Sequence, residues 1–101
     1  MRRIGQRTGI GYVVLPSGTR IRASYVISIW QKYQSTGLEE IPTLRSSEGR
    51  ITLLEDSSEN MHGTELTLEL NDGDKLRILA TETDEFGKSM LVKGTGGFFR
   101  D

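Results

Sequence analysis

Between Thr19 and Tyr33 the chain alternates. Ile21, Ala23, Tyr25, Ile27 and Ile29 fall on every second residue, with Arg20, Arg22, Ser24 and Ser28 between them. A two-residue period puts the first set on one face and the polar set on the other, the mark of a strand with one face in a core. The β-branched and aromatic content suits a long strand at the centre of a small sheet or barrel. Val26 and Trp30 share the phase of the polar set. Either a bulge flips the phase near Ser28, or the outer face is covered locally.

Two hairpins follow from the same logic. Tyr12 to Leu15 reads as a strand running into Pro16-Ser17-Gly18. A three-residue loop, a type I turn closed by Gly18 in the left-handed region, sets Leu15 opposite Thr19, Val13 opposite Ile21 and Gly11 opposite Ala23. Apolar residues then agree across the pair, as register requires. Leu66, Leu68 and Leu70 alternate before Asn71-Asp72-Gly73, and Leu76, Ile78 and Ala80 after it. A two-residue Asp-Gly loop would pair Leu70 with Lys75 and set the leucines out of phase. The three-residue loop pairs Leu68 with Leu76 and Leu66 with Ile78, and is preferred. Leu15-x-x-Gly18-Thr19-Arg20-Ile21-Arg22 also matches Leu70-x-x-Gly73-Asp74-Lys75-Leu76-Arg77, 55 residues on. Hairpin chemistry or a remnant duplication would give that match.

Elsewhere turn signals dominate. Residues 1–11 hold Arg2, Arg3, Arg7 and three glycines ahead of the first strand. Gln34 to Pro42 reads as a loop with room for one helical turn at Leu38–Ile41. Thr43–Arg45 reads as a short strand, Ser46-Ser47-Glu48-Gly49 as a turn, and Arg50–Leu54 as a strand. Glu55–Gly63 is the most polar loop, and a last strand, Ser89–Val92, precedes the glycine-rich tail Lys93–Asp101. Six to seven strands and no convincing amphipathic helix predict an all-β fold. The expected form is a small antiparallel barrel or half-open barrel built from hairpins, since closure removes exposed edges. The chain reads as one domain, 1–101, with 1–8 and 94–101 as candidate flexible ends.

Composition narrows the classes. Twelve glycines and two prolines fit a turn-rich β domain, and the absence of cysteine excludes a disulfide framework and a thiolate metal site. The charged start MRRIGQRTGIGYVVL lacks the apolar run of a signal peptide, and no stretch has the apolar length of a membrane-spanning helix. A cytoplasmic protein without membrane contact is the expectation. The net charge of −1 hides a division, with residues 1–50 near +5 and residues 51–101 near −6. Adjacent strands of opposite charge, or two copies, would account for it.

Catalytic chemistry is poorly supplied. His62 is the single histidine, and Asp56, Glu59 and His62 form at most a loose polar group. Glu39-Glu40, Glu55-Asp56 and Asp84-Glu85 are adjacent carboxylates, which on strands and turns point apart rather than share a cleft. Lys93-Gly94-Thr95-Gly96-Gly97 has glycines but not the lysine order or following helix of a phosphate loop. No catalytic residue, metal ligand or cofactor is implied.

Arg3-x-x-x-Arg7 and Ser46-x-x-Gly49 on a six-stranded barrel resemble fragments of the PilZ cyclic-dinucleotide-binding family. That family pairs an Arg-x-x-x-Arg linker with Asp/Asn-x-Ser-x-x-Gly. Position 44 here is Leu, where the family's pattern has Asp or Asn. The resemblance implies a nucleotide site. The primary expectation is different: a small non-enzymatic β-barrel that acts through its surface as an interaction or assembly module. It would self-associate or bind a protein partner through Val26, Trp30, Phe98 and Phe99. The alternative is a PilZ-like or OB-like barrel that binds an anion, a nucleotide or nucleic acid. It would use Arg3, Arg7, Arg20, Arg22 and Trp30, with Tyr12 and Lys32 beside them.

Overall fold

The computed structural model describes residues 2–56, 61, 63–84 and 88–100. Among the described residues six strands run in order as β1 (Arg2–Val14), β2 (Arg20–Ser35), β3 (Glu40–Leu53), β4 (Glu65–Glu69), β5 (Lys75–Thr83) and β6 (Ser89–Gly94). They close into a barrel in the order β1-β2-β3-β6-β5-β4, with every neighbouring pair antiparallel. The all-β barrel expected from the hydrophobic alternation is therefore what the chain builds.

Both hairpins take the three-residue loop. Leu15 N–H donates to Thr19 O and Gly18 N–H to Leu15 O, and the same two bonds recur from Leu70 to Asp74 and from Gly73 to Leu70. Gly18 and Gly73 sit at φ 92° and 97°, where a side chain would be strained. Val13 faces Ile21 and Leu68 faces Leu76, so the apolar residues meet on the inner face. Val13, Ile27, Ile51, Leu68, Leu76 and Ile78 have no exposed surface at all.

The register carries an internal two-fold. Adding 55 to Val13–Ile21 and Gly11–Ala23 of the first hairpin gives Leu68–Leu76 and Leu66–Ile78 of the second. Tyr25 pairs with Ile51 as Ala80 pairs with Val92, which makes Ile51 the counterpart of Val92 and Gly49 that of Met90. The contact between the halves obeys the same rule: Ile51 pairs with Met90, and Gly49 with Val92. At the other seam Tyr12–Glu69 and Val14–Thr67 flank Val13–Leu68. The axis passes through the Val13–Leu68 and Arg50–Leu91 pairs.

Two segments differ from the sequence reading. β1 starts at Arg2 rather than near Tyr12, because nearly the whole of residues 2–14 finds partners along β2. β3 is one strand through Ser46–Gly49, where the composition reads as a turn, and no helical turn forms at Leu38–Ile41. Gly49 is needed for closeness instead. A Cβ there would meet the backbone of Val26 and Ile27, with Ile27 Cα at 2.9 Å. Tertiary packing has overridden local propensity.

Long strands on a small barrel leave a protrusion. β4 pairs with β1 only at Tyr12–Val14, and β6 with β3 only at Glu48–Thr52. The rest of β1, β2 and β3 extends as a three-stranded ribbon, which stretches the molecule to 53 × 30 × 21 Å. Its open edges carry Arg2, Arg3 and Arg7 on β1, Pro42 on β3, and register shifts between Arg3 and Gly5 and between Gln31 and Tyr33. Charge, proline and bulges are the features that keep an exposed edge from recruiting another strand.

The charge division between the halves is met in part inside the fold. Arg20 Nε lies 2.9 Å from Glu69, and Arg7 pairs with Asp72 and, at 2.9 Å, with Asp74. These bonds join the basic first half to the acidic second half near the β1–β4 seam.

Candidate functional site

Two concavities concern the candidate residues, one outside the barrel and one at its mouth. The outer groove forms where β2 and β3 flare away from β5 and β6. It encloses about 480 Å³ and is lined by Val26, Ser28, Trp30, Arg50, Leu91 and Lys93 among others. Val26 and Leu91 are 44% and 37% exposed, large for aliphatic side chains. Trp30 is half-buried, and its indole N–H is out of contact with solvent and has no hydrogen-bond partner among the described residues. A buried donor without an acceptor costs about 1–3 kcal/mol. The alternation of β2 holds through Trp30, with the register shift two residues later, so the tryptophan stays on the outer face.

The mouth cavity lies on the inner face of the ribbon. Ile29, Arg45, Ser46 and Ser47 form one wall, and Gly96, Gly97 and Phe98 of the tail form the other, around about 470 Å³. The tail is fastened at several points. Phe99 and Lys75 exchange both backbone hydrogen bonds, and Thr95 N–H donates to Arg77 O. Arg100 Nε reaches Asp74 at 2.5 Å, and Phe98 packs against the core under the Arg7 guanidinium, 4.9 Å from its ring centre. Arg100 and then Arg7, by donating hydrogen bonds, hold the Asp74 carboxyl below its ordinary value. Phe99 lies farther along, its ring 5.7 Å from the Arg77 guanidinium.

The five residues of the anion-site expectation do not gather at one place. Arg3 pairs with Trp30 across β1 and β2, and Ser46 lies next in the same row. Arg7 is taken up by Asp72 and Asp74. Arg20 is ten residues along the same strand from Trp30, about 33 Å at roughly 3.3 Å per residue, and lies over the Tyr12 ring at 4.2 Å. Arg22 flanks it, its backbone N–H facing Glu55. Of the interface candidates, Val26 and Trp30 share the outer groove, whereas Phe98 and Phe99 belong to the tail.

Glu59 and His62 lie outside the described residues, while Asp56 is paired with Lys88 at 2.8 Å. Among the described residues no three acidic or histidine side chains cluster as metal ligands. Three contributors escaped the sequence reading. Leu91 gave no signal beyond one aliphatic residue in the outward phase. Gln31 did give one: it continues the inward series Ile27, Ile29 as a polar residue at a core position, and it is 5% exposed. Its role is to hold Arg45, whose Nε donates to Gln31 Oε1 at 3.0 Å.

Comparison with protein-family models, with curated proteins and with solved structures gives no match.

Proposed function

We propose that the protein is a non-enzymatic β-barrel interaction module that self-associates through its outer groove. The observation that carries this reading is an apolar patch on the solvent side of the sheet, where the half-buried Trp30 shares a groove with the exposed Val26 and Leu91. A second surface laid over the groove would bury the exposed aliphatic side chains and the outer part of the indole. The rim favours another copy of the same chain. It carries both signs, Glu48 beside Arg50 and Lys93, so a two-fold contact can set a carboxylate of one copy against a cation of the other.

Light scattering across a concentration series tests the reading. Wild type should reach a mass above one chain, and Val26→Glu, a surface change that leaves the core intact, should return it to one chain. A single-chain mass for wild type at high concentration would overturn the proposal.

A further inference from the structure

Arg45 is the arginine of this protein held in place by a buried neutral side chain. Arg2, Arg7, Arg20 and Arg100 each meet a carboxylate, at Glu40, Asp72 and Asp74, Glu69, and Asp74 respectively. Arg45 meets none among the described residues. Its fixed partner is the neutral amide of Gln31, whose Nε2 donates in turn to the backbone oxygens of Lys32 and Leu44 at 3.0 and 3.1 Å. A buried glutamine with both ends engaged thus holds an arginine by its Nε against the wall of a cavity. That leaves the two terminal nitrogens of the guanidinium for something else, in the fork geometry that suits an oxyanion.

The rest of the cavity fits the same kind of guest. Ser46 and Ser47 line it beside Arg45, and Gly96 and Gly97 line it from the tail. The N–H groups of Thr95 and Phe99 are used by Arg77 and Lys75, while those of Gly96 and Gly97 between them have no partner among the described residues. Ile29 and Phe98 supply apolar walls. At about 470 Å³ the space lies in the usual range for small-molecule sites, about 300–1,000 Å³. We propose that the mouth cavity binds a small organic oxyanion with a flat apolar body, its charged group on Arg45 and the Gly96–Gly97 amides and its body against Phe98. This site uses none of Arg3, Arg20, Arg22 or Trp30 and is separate from the outer groove.

The probes are inorganic phosphate, benzoate and the aromatic sulfonate 8-anilinonaphthalene-1-sulfonate, titrated into the full chain and followed by amide chemical shifts. Saturable shifts of Ser46, Ser47, Gly96 and Gly97 are expected with the two aromatic anions, and weaker ones with phosphate, which lacks the body. Arg45→Gln should weaken binding about tenfold or more, the loss of one charge-assisted pair. Because that change also strips a partner from Gln31, Gly97→Asp is the second variant. No atom lies within 4 Å of a Cβ at Gly97, so the substitution adds a negative charge at the cavity wall without crowding. It too should weaken the aromatic anions about tenfold or more. The proposal falls if no probe shifts those four amides, or if Gly97→Asp binds the aromatic sulfonate as tightly as wild type does.

Discussion

Gly11 offers the sharpest test of how the barrel closes. A Cβ at this position would run into the Glu69 carbonyl oxygen across the β1–β4 seam, with the carbonyl carbon at 3.1 Å and Leu70 Cα at 3.4 Å. The obstacle is main chain, so no side-chain rotation relieves it and one strand must move away from the other. Overpacking costs about 1–3 kcal/mol, and a backbone obstacle argues for the upper end. Alanine also loses less freedom on folding than glycine, a gain of about 0.4–1 kcal/mol. The clash wins. The net loss for Gly11→Ala is about 2 kcal/mol, or a Tm lower by about 8–16 °C for a chain of this size. That is well inside the about 5–15 kcal/mol of a typical domain, so the variant should still fold.

Thermal melts followed by circular dichroism measure the loss, with amide exchange across Tyr12–Val14 and Thr67–Glu69 to locate it. The control is Gly96→Ala, which has open space around its new Cβ and should stay within about 0.5 kcal/mol of wild type. Melting of Gly11→Ala alongside Gly96→Ala would refute the close approach at the seam.

Other expectations follow from single contacts. Tyr25 OH donates to Asn71 Oδ1 at 3.0 Å and accepts from the Asn71 N–H at 3.2 Å, so Tyr25→Phe strands two polar groups and should cost about 1–2 kcal/mol in urea titrations. Asn71→Ala made on that background should add less than it does alone. Asp74 has a depressed folded-state pKa, so its contribution is present above the unfolded value near 3.8 and is lost as pH falls through the folded one. Wild-type Tm should therefore drop on acidification between about pH 4 and pH 2 more steeply than that of Asp74→Asn. Equal slopes would mean that Arg7 and Arg100 do not hold that carboxylate in solution.

What the residues disclosed was whatever a local period governs. The alternation from Ile21 to Ile29 and the leucines flanking Asn71-Asp72-Gly73 each fix a face, and only the three-residue loop keeps those faces in phase across a turn. Ser46–Gly49 misled because its composition answers to two different needs. Glycine serves a turn by adopting a positive φ and a crowded ladder by lacking a Cβ, and nothing nearby in the chain tells which applies. β1 was legible only from Tyr12 for a related reason: Arg2–Gly9 has little strand propensity, and β2 imposes its conformation. The groove and the mouth cavity are long-range products. Leu91 is 61 residues from Trp30, and the tail glycines about 50 from Arg45, so neither pairing leaves a local trace.

The two-fold in the register gives this small protein the anatomy of a dimer written on one chain. Each meander of three strands ends in surfaces that fit its counterpart, and only the segment between β3 and β4 makes them continuous. Cleavage within residues 55–60, which leaves the core residue Met61 on the second fragment, should give two fragments that copurify and regain the β spectrum on mixing, because most of the recognition lies in the seams.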